Sequence, residues 1–246
     1  MVKPISNVEV FGLESSIVGS GYPMRVTNST FNHDVDILRR ELSDEDNFLE
    51  VWYDWKQNKT KIEGKNLNFA IKSFSRMCNL GNSPGDSGHP QALSGITVNF
   101  DLSFTNKAWV EAERYRYLFF VSSQSLQHRA TKFDLSSPDA FDSHVDKRIV
   151  DIVREKVDEY NALSAMSKET SDVETLKEID KRLKELHLEI IMSMPNGFVI
   201  TARMTTNYRE LRQIYYQRQN HKLPEWREFC AQVRELPYFK QICLGE

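Results

Sequence analysis

Hydrophobic and polar positions follow several distinct rhythms along this chain. The clearest is Gly95–Phe104, GITVNFDLSF, where Ile96, Val98, Phe100, Leu102 and Phe104 alternate with more polar residues. A period of two predicts a strand with one buried face. Residues Val8 to Leu49 read as strands and turns: VEVFGL and YPMRVTN are short β-type runs, punctuated by Gly19, Gly21 and Pro23. Asn66 to Asn79 is the first clear helix, with Phe69, Ile71, Phe74 and Met77 as its apolar stripe. It stops in LGNSPGDSGHP, a Gly/Pro/Asn/Ser cluster that does not continue a helix. Ordered loops of this length in compact domains often carry function.

Beyond Phe104 the spacing turns helical. Asn106 to Ser123 is helical in pattern and rich in Trp, Tyr and Phe, and the following SSQSLQHRATKFDLSS is polar and irregular. Ser143 to Met192 carries two stripes: Ile149, Ile152, Val153, Val157, Tyr160 and Leu163, then Leu176, Ile179, Leu183, Leu186 and Ile190. MSKETSDVE separates them, with Ser171 as N-cap and Glu174 three residues on, so a helical hairpin is expected. Pro195–Gly197 ends its second helix. Phe198 to Met204 reads as a short strand, Asn207 to Gln219 as a helix, and Pro224 or Glu225 opens another that runs to about Leu236. There is no internal repeat and no low-complexity linker. The expectation is one α+β domain over residues 1–246, with a small mixed or antiparallel sheet and a helical hairpin at 143–192.

Composition narrows the class. In 246 residues, 40% are hydrophobic and 27% charged. That is the balance of a soluble globular protein and excludes disorder of the whole chain. Lys+Arg number 32 and Asp+Glu 35, a net charge of −3. A protein whose main task is to grip a nucleic-acid backbone carries an excess of cations, so any anion site here is local. No run approaches the ~20 apolar residues needed to span a bilayer, and the opening MVKPISNVEVFGLESS lacks the pattern of a secretory signal. Cys78, Cys230 and Cys243 are odd in number and form no CxxC. A cytoplasmic protein with neither a disulfide framework nor a metal site is expected, with no membrane partner.

Polar chemistry concentrates in two places. One is Gln124-Ser125-Leu126-Gln127-His128-Arg129, followed by Ser136 and Ser137. The other is Asn207-x-Arg209-x3-Gln213-x4-Arg218-x2-His221. On a helix Arg209, Gln213 and Gln217 follow i, i+4, i+8 and share a face. Arg218, about two and a half turns from Arg209, points elsewhere, so the helix can serve two neighbouring ligands. Arginine's planar fork suits phosphate. The competing readings are an ordinary turn at His128-Arg129 and a solvated helix face with surface pairs such as Glu210 with Arg212.

Gln124 to Ser137 resembles the signature of flavin-dependent thymidylate synthases, R-H-R followed by seven residues and a serine. Gln127 stands at the first Arg, His128 and Arg129 match, and Ala130 to Ser136 lead to Ser137. FAIKSFSRMCNLGNS (Phe69 to Ser83) resembles that family's "AAR-x-C-Y" helix, and Gly88-His89-Pro90 with the strand after it resembles its "G-H" loop. Asn207-Tyr208-Arg209-Glu210-Leu211 resembles "N-x-R-S-L". Arg218 falls at the Arg of an "L-R" pair, and His221 and Trp226 resemble the next His and a "W-E" element, with one residue inserted. Pro195, twelve residues before Asn207, falls at an "L-P" turn. The matches keep their order over about Phe69 to Leu236 and leave residues 1–65 divergent.

This resemblance implies a homotetramer with flavin where subunits meet. The implied reaction methylates C5 of dUMP to give dTMP: methylenetetrahydrofolate supplies the carbon, reduced FAD the hydride, and NADPH recharges the flavin. By matched position His89, His128, Arg129, Asn207, Arg209, Gln213 and His221 contact FAD. Gln124, Ser136, Ser137 and Arg218 contact the pyrimidine nucleotide, with Ser137 and Arg218 at the reacting ring. Ser137 is an orienting or polarising group, because a serine without a placed base is a weak nucleophile. Departures cluster at the nucleotide. Asp139 stands where a phosphate-binding Arg is usual, and Ile191 where another is. Leu135 replaces a Glu, Asp134 an Asn, Gly95 a second His and Gln127 an Arg. A phosphate facing Asp139 is repelled, and Lys132, Arg148 and Arg203 are the cations able to compensate. Methylation of a dUMP-type nucleotide, a related flavin- or folate-linked pyrimidine modification (another base, or hydroxymethylation), and a fold that has lost catalysis all follow. A different class is a helical interaction protein whose hairpin binds a partner helix. A nucleic-acid module draws on YRELRQIYYQRQNHK (Tyr208 to Lys222), where aromatics interleave with cations, against the acidic overall balance.

Overall fold

The alternating run becomes strand β2, Thr97–Thr105, with Val98, Phe100, Leu102 and Phe104 buried on one face. The structure, a computed structural model, describes residues 3–27 and 30–246. β2 pairs with β1, Ile5–Phe11, and with β4, Val199–Asn207. β4 in turn pairs with β3, Phe119–Ser123, so the four-stranded order is β1-β2-β4-β3. The chain gathers into two compact units through which β2 and β4 both run. One comprises Asp101–Arg114 and Phe120–Arg203 with the N-terminal residues as far as Pro4. The other comprises Ile5–Phe100, Tyr115–Phe119 and Met204–Glu246. The mixed helix-and-sheet class expected from the sequence is the one observed.

The first unit is built on the helical hairpin, α7 (Lys147–Glu169) and α8 (Val173–Ser193). Between α5 (Asn106–Ala112) and the hairpin lie β3 and the short helix α6 (Leu126–Arg129). Val153 and Val157 pack with Ile190, and Ala130, Leu135 and Phe198 close this core. The predicted stripe is narrower than its spacing implied: Ile149 and Ile152 are exposed, because the partner helix covers one side of α7 only. Polar clamps cross the hairpin, Lys156 to Glu189 and Arg182 to Glu159 at 2.9 Å. The cap of α8 is Asp172, one residue after the expected Ser171, and its carboxylate accepts the Thr175 N–H at 2.9 Å. Asp is as good an N-cap as Ser and carries charge toward the helix dipole. Replacing Asp172 with alanine is expected to cost about 1 kcal/mol in a urea unfolding series.

The second unit packs around α4, Lys65–Gly81, whose Ile71, Phe74 and Met77 are buried as their spacing predicted. Phe74 meets Phe48, Trp52 and Tyr238 edge-on at 5.2 Å each, and the Trp52 indole N–H donates to Ser75 Oγ at 2.7 Å. Helices α9 (Tyr208–Arg218) and α10 (Pro224–Arg234) match their expected positions. Two expectations fail. Among the described residues Val8 to Leu49 holds only β1 as a strand, followed by α1 (Leu13–Gly19), α2 (Phe31–Glu41) and the start of α3 (Glu45–Asn58). YPMRVTN contains a 3-10 turn at Tyr22–Met24, and its last residue, Asn28, lies outside the described residues. Helix α1 is too short to show a stripe beyond Leu13, Ile17 and Val18, and Gly19 and Pro23 mask its periodicity. Asn106 to Ser123 is helical only as far as Ala112. Its aromatic and β-branched end is β3, made a strand by pairing with β4.

All three cysteines are buried and free. Burial pushes the Cys78 and Cys230 thiols up to about 12, which leaves them inert as nucleophiles. Among the described residues no helix is long and apolar enough to cross a membrane.

Candidate functional site

In the first unit the chain leaves β3 at Gln124 and stays tied to β4. Its backbone N–H donates to the Thr201 carbonyl at 3.0 Å, and its side-chain Oε1 accepts the Thr201 N–H at 2.9 Å. The Gln124 amide NH2 is thereby held in place as a donor. It lines a cavity of about 190 Å³ with Ser137, Asp134, Asp139, Thr201 and Phe198. The Ser137 hydroxyl accepts the Asp139 N–H at 3.4 Å, and no histidine lines this cavity. The Ser136 hydroxyl and N–H bind Asp134 and hold its carboxyl below the usual range. The wall is therefore acidic at neutral pH.

Ser136 lines an adjoining cavity of about 560 Å³ with Lys132 and Arg154, and Phe133 and Asp134 form the shared wall. Of the three cations expected to compensate for Asp139, Lys132 alone lines these cavities. Arg203 is engaged by Asp101 at 3.2 Å and Arg148 by Asp146 at 2.6 Å. Two departures from the family pattern have a structural cause: Leu135 is a buried core residue, and Ile191 packs against that core. His128 and Arg129 sit exposed on α6, whose N-cap Ser125 accepts the His128 N–H at 3.2 Å.

In the second unit β4 passes into α9 at Asn207. Its extended backbone ends the strand, and its Oδ1 accepts the Glu210 N–H at 3.0 Å. This cap turns Arg209 and Gln213 into a cleft of about 300 Å³, which Gln91, Ser94, Tyr117 and Glu210 also line. That volume suits a heterocycle rather than a whole dinucleotide. Gln91 and Ser94 lie just after the predicted loop, in a 3-10 segment, His89–Gly95, that takes in the loop's last two residues. The Arg209 guanidinium donates to Gln91 Oε1. At Gly95, where the family pattern has a His, a Cβ would lie 2.4 Å from Ser16 Oγ, which would have to rotate away.

The proposed surface pair of Glu210 with Arg212 does not form. Arg212 donates to the Cys243 carbonyl at 3.0 Å and the Ser83 carbonyl at 3.2 Å. Glu210 is only 5% exposed. Burial raises its pKa, against a hydrogen bond from the Tyr117 backbone N–H and the charge of Arg209. Sequence reasoning missed Glu210, Gln91 and Tyr117. Only Glu210 left a signal, since it shares the apolar side of α9 with Leu211 and Ile214.

Arg218 lines neither cavity. Its Nε donates to the Tyr115 hydroxyl at 2.6 Å, and its guanidinium lies 5.0 Å over the Trp226 ring. His221 stands beside it, 6.4 Å from Trp226 ring to ring, with Nδ1 accepting the Leu223 N–H at 3.2 Å. His89 lines a fourth cavity, of about 650 Å³, with Arg76, and Gln91 is the wall shared with the α9 cleft.

No family model matches the chain, and no curated protein matches it by sequence. Solved structures do. The flavin-dependent thymidylate synthase ThyX from Helicobacter pylori, complexed with FAD and dUMP, superposes with a TM-score of 0.54 at 13% identity, covering 97% of both chains. A second structure of that enzyme with FAD and dUMP gives 0.48 at 16% identity over 80% of this chain and 89% of that one. At such identity the likeness is one of fold: over almost its whole length, this chain folds as a flavin-dependent thymidylate synthase does.

Proposed function

We propose that this protein is a cytoplasmic, homotetrameric, flavin-dependent enzyme that methylates C5 of a dUMP-type pyrimidine nucleotide. Methylenetetrahydrofolate is the carbon donor, and FAD, reduced by NADPH, is the redox cofactor. One observation carries the reading. Asn207, Arg209 and Gln213, which the resemblance gives to flavin, line one cleft, while Gln124 and Ser137, which it gives to the nucleotide, line another.

The chemistry of the cleft fits a flavin ring. Arg209 and the amides of Gln91 and Gln213 are donors for ring carbonyls, and Asn207, whose Oδ1 is spent on its cap, has its amide nitrogen left to donate. The bound flavin supplies the hydride. The chain's own task is positioning and polarisation, since C5 of uracil is a poor nucleophile. The Gln124 amide and the Ser137 hydroxyl orient the pyrimidine ring. In this reading the base enters the smaller cavity and its phosphate lies outside, repelled by Asp134 and Asp139, with Lys132 and Arg154 of the adjoining cavity as counterions. His128, Arg129, His89 and His221 complete the flavin contacts and Arg218 the nucleotide contacts. The edge strand β3 supports assembly. Phe119, Phe120 and Val121 are exposed at 52%, 48% and 62%, and an apolar strand edge is a surface that proteins cover.

The acidic wall favours a second reading, a related modification of an amino-bearing pyrimidine whose NH2 donates to Asp134 or Asp139. One experiment addresses both. The purified protein is incubated with FAD, desalted and scanned, then titrated with dUMP and dCMP. Bands near ~370 and ~450 nm at close to one flavin per chain are expected of a flavoprotein, with a spectral change on adding dUMP. A response to dCMP alone moves the proposal to the second reading. A folded protein that retains no flavin overturns both.

A further inference from the structure

We propose that Glu210 is a specificity-determining residue of the α9 cleft, and that its carboxylate accepts the ring N–H of an imide edge, C(=O)–N(H)–C(=O), on the bound heterocycle. The inference rests on the flavin reading above and adds to it a residue that the family pattern does not supply. The matching motif position is a serine, whereas this chain has Glu.

Glutamate three residues into a helix ordinarily sits in solvent and folds back on the N-cap backbone. Glu210 does neither. It is 5% exposed, it lines the cleft, and the hydrogen bond that favours its charge comes from Tyr117 N–H. The adjacent cation does not cover it, because Arg209 is turned to Gln91 Oε1. A carboxylate has about four acceptor positions, so one backbone donor leaves others open to the cleft that Glu210 lines, where a bound ring would displace their water. Such a group is costly unless something donates to it.

The rest of the cleft decides what that donor is. Arg209, Gln91 and Gln213 surround the acceptor with N–H donors. An acceptor among donors complements a ring N–H flanked by two carbonyls. The pyrimidine edge of a flavin has that order. An adenine edge offers no such N–H between carbonyls, and the N3 position of cytosine is an acceptor that would oppose Glu210.

The test compares FAD with its N3-methyl analogue, in which a methyl group replaces the N3–H donor. Dissociation constants are measured by flavin fluorescence on the full-length protein and on the Glu210→Met and Glu210→Gln variants. Methionine keeps the volume and removes the acceptor. Glutamine keeps the shape, gives its oxygen to Tyr117 N–H and turns an NH2 toward the ligand. The unsubstituted protein is expected to bind FAD at least about tenfold more tightly than the N3-methyl analogue, the scale of one charge-assisted hydrogen bond. That ratio should fall toward one in both variants. Equal binding of the two flavins by the unsubstituted protein overturns the role of Glu210 and leaves the flavin reading standing. A ratio that persists in either variant does the same. Failure to bind either flavin overturns both. Should Glu210→Met not fold, the glutamine variant alone decides the matter.

Discussion

Replacement of Arg209 by alanine is expected to weaken FAD binding by roughly 10- to 150-fold, the loss of one charge-assisted hydrogen bond at 1.5–3 kcal/mol. The fold should be untouched. Arg209 is exposed and donates a hydrogen bond to Gln91, while Tyr208, Leu211 and Ile214 carry the packing of α9. The check has two parts: flavin retained per chain after desalting, and the thermal midpoint by circular dichroism. A variant with unchanged flavin retention would remove the α9 cleft from the proposed cofactor site. A variant that loses flavin and also unfolds earlier would mean that Arg209 braces the loop through Gln91 instead of meeting a ligand.

The second large effect concerns Phe198. Truncation to alanine is expected to destabilise the protein by about 3–5 kcal/mol, the usual range for a large aromatic removed from a core. Phe198 is 1% exposed. Its ring meets Phe133 at 5.1 Å and Phe141 at 5.4 Å, and it packs with Leu135, Val153 and Ile190 of the hairpin core. The same ring is a wall of the cavity that holds Gln124 and Ser137. Nucleotide titrations under conditions where the variant is still folded should therefore show weaker binding as well. A shift in the urea midpoint worth less than about 1 kcal/mol would contradict the packing described for this unit.

The two predictions separate two kinds of legibility. Long elements with a strong period could be read directly. The alternation of β2, the two stripes of the hairpin and the cap-to-helix step at Asn207 are local patterns, and burial follows the period wherever a partner element covers the predicted face. The Arg209–Gln213 turn of the site was legible for that reason. The N-terminal helices were not, because α1 is seven residues long and the punctuation by Gly19, Gly21 and Pro23 masked the helical spacing that follows in α2 and α3. β3 read as helix because its aromatic run has no alternation, and pairing with β4 outweighed local propensity.

The site shows the same division. The residue types and their spacing on α9 were a property of the sequence alone, as were the acidic positions Asp134 and Asp139 that set this chain apart from the family it resembles. Their surroundings were not. Arg209 meets Gln91 across 118 positions of chain, and Arg218 meets Tyr115 across 103. Leu135 is buried in the hydrophobic core between α7 and α8, and Ile191 packs against that core. Glu210 is buried although a charged residue ordinarily stays in solvent. Periodicity is a property of neighbours within one or two turns, whereas the desolvation of a charge depends on which distant segments the fold stacks against it. The sequence by itself determined the class of the fold and the polar face of α9; the tertiary structure decided which of those polar groups lost their water.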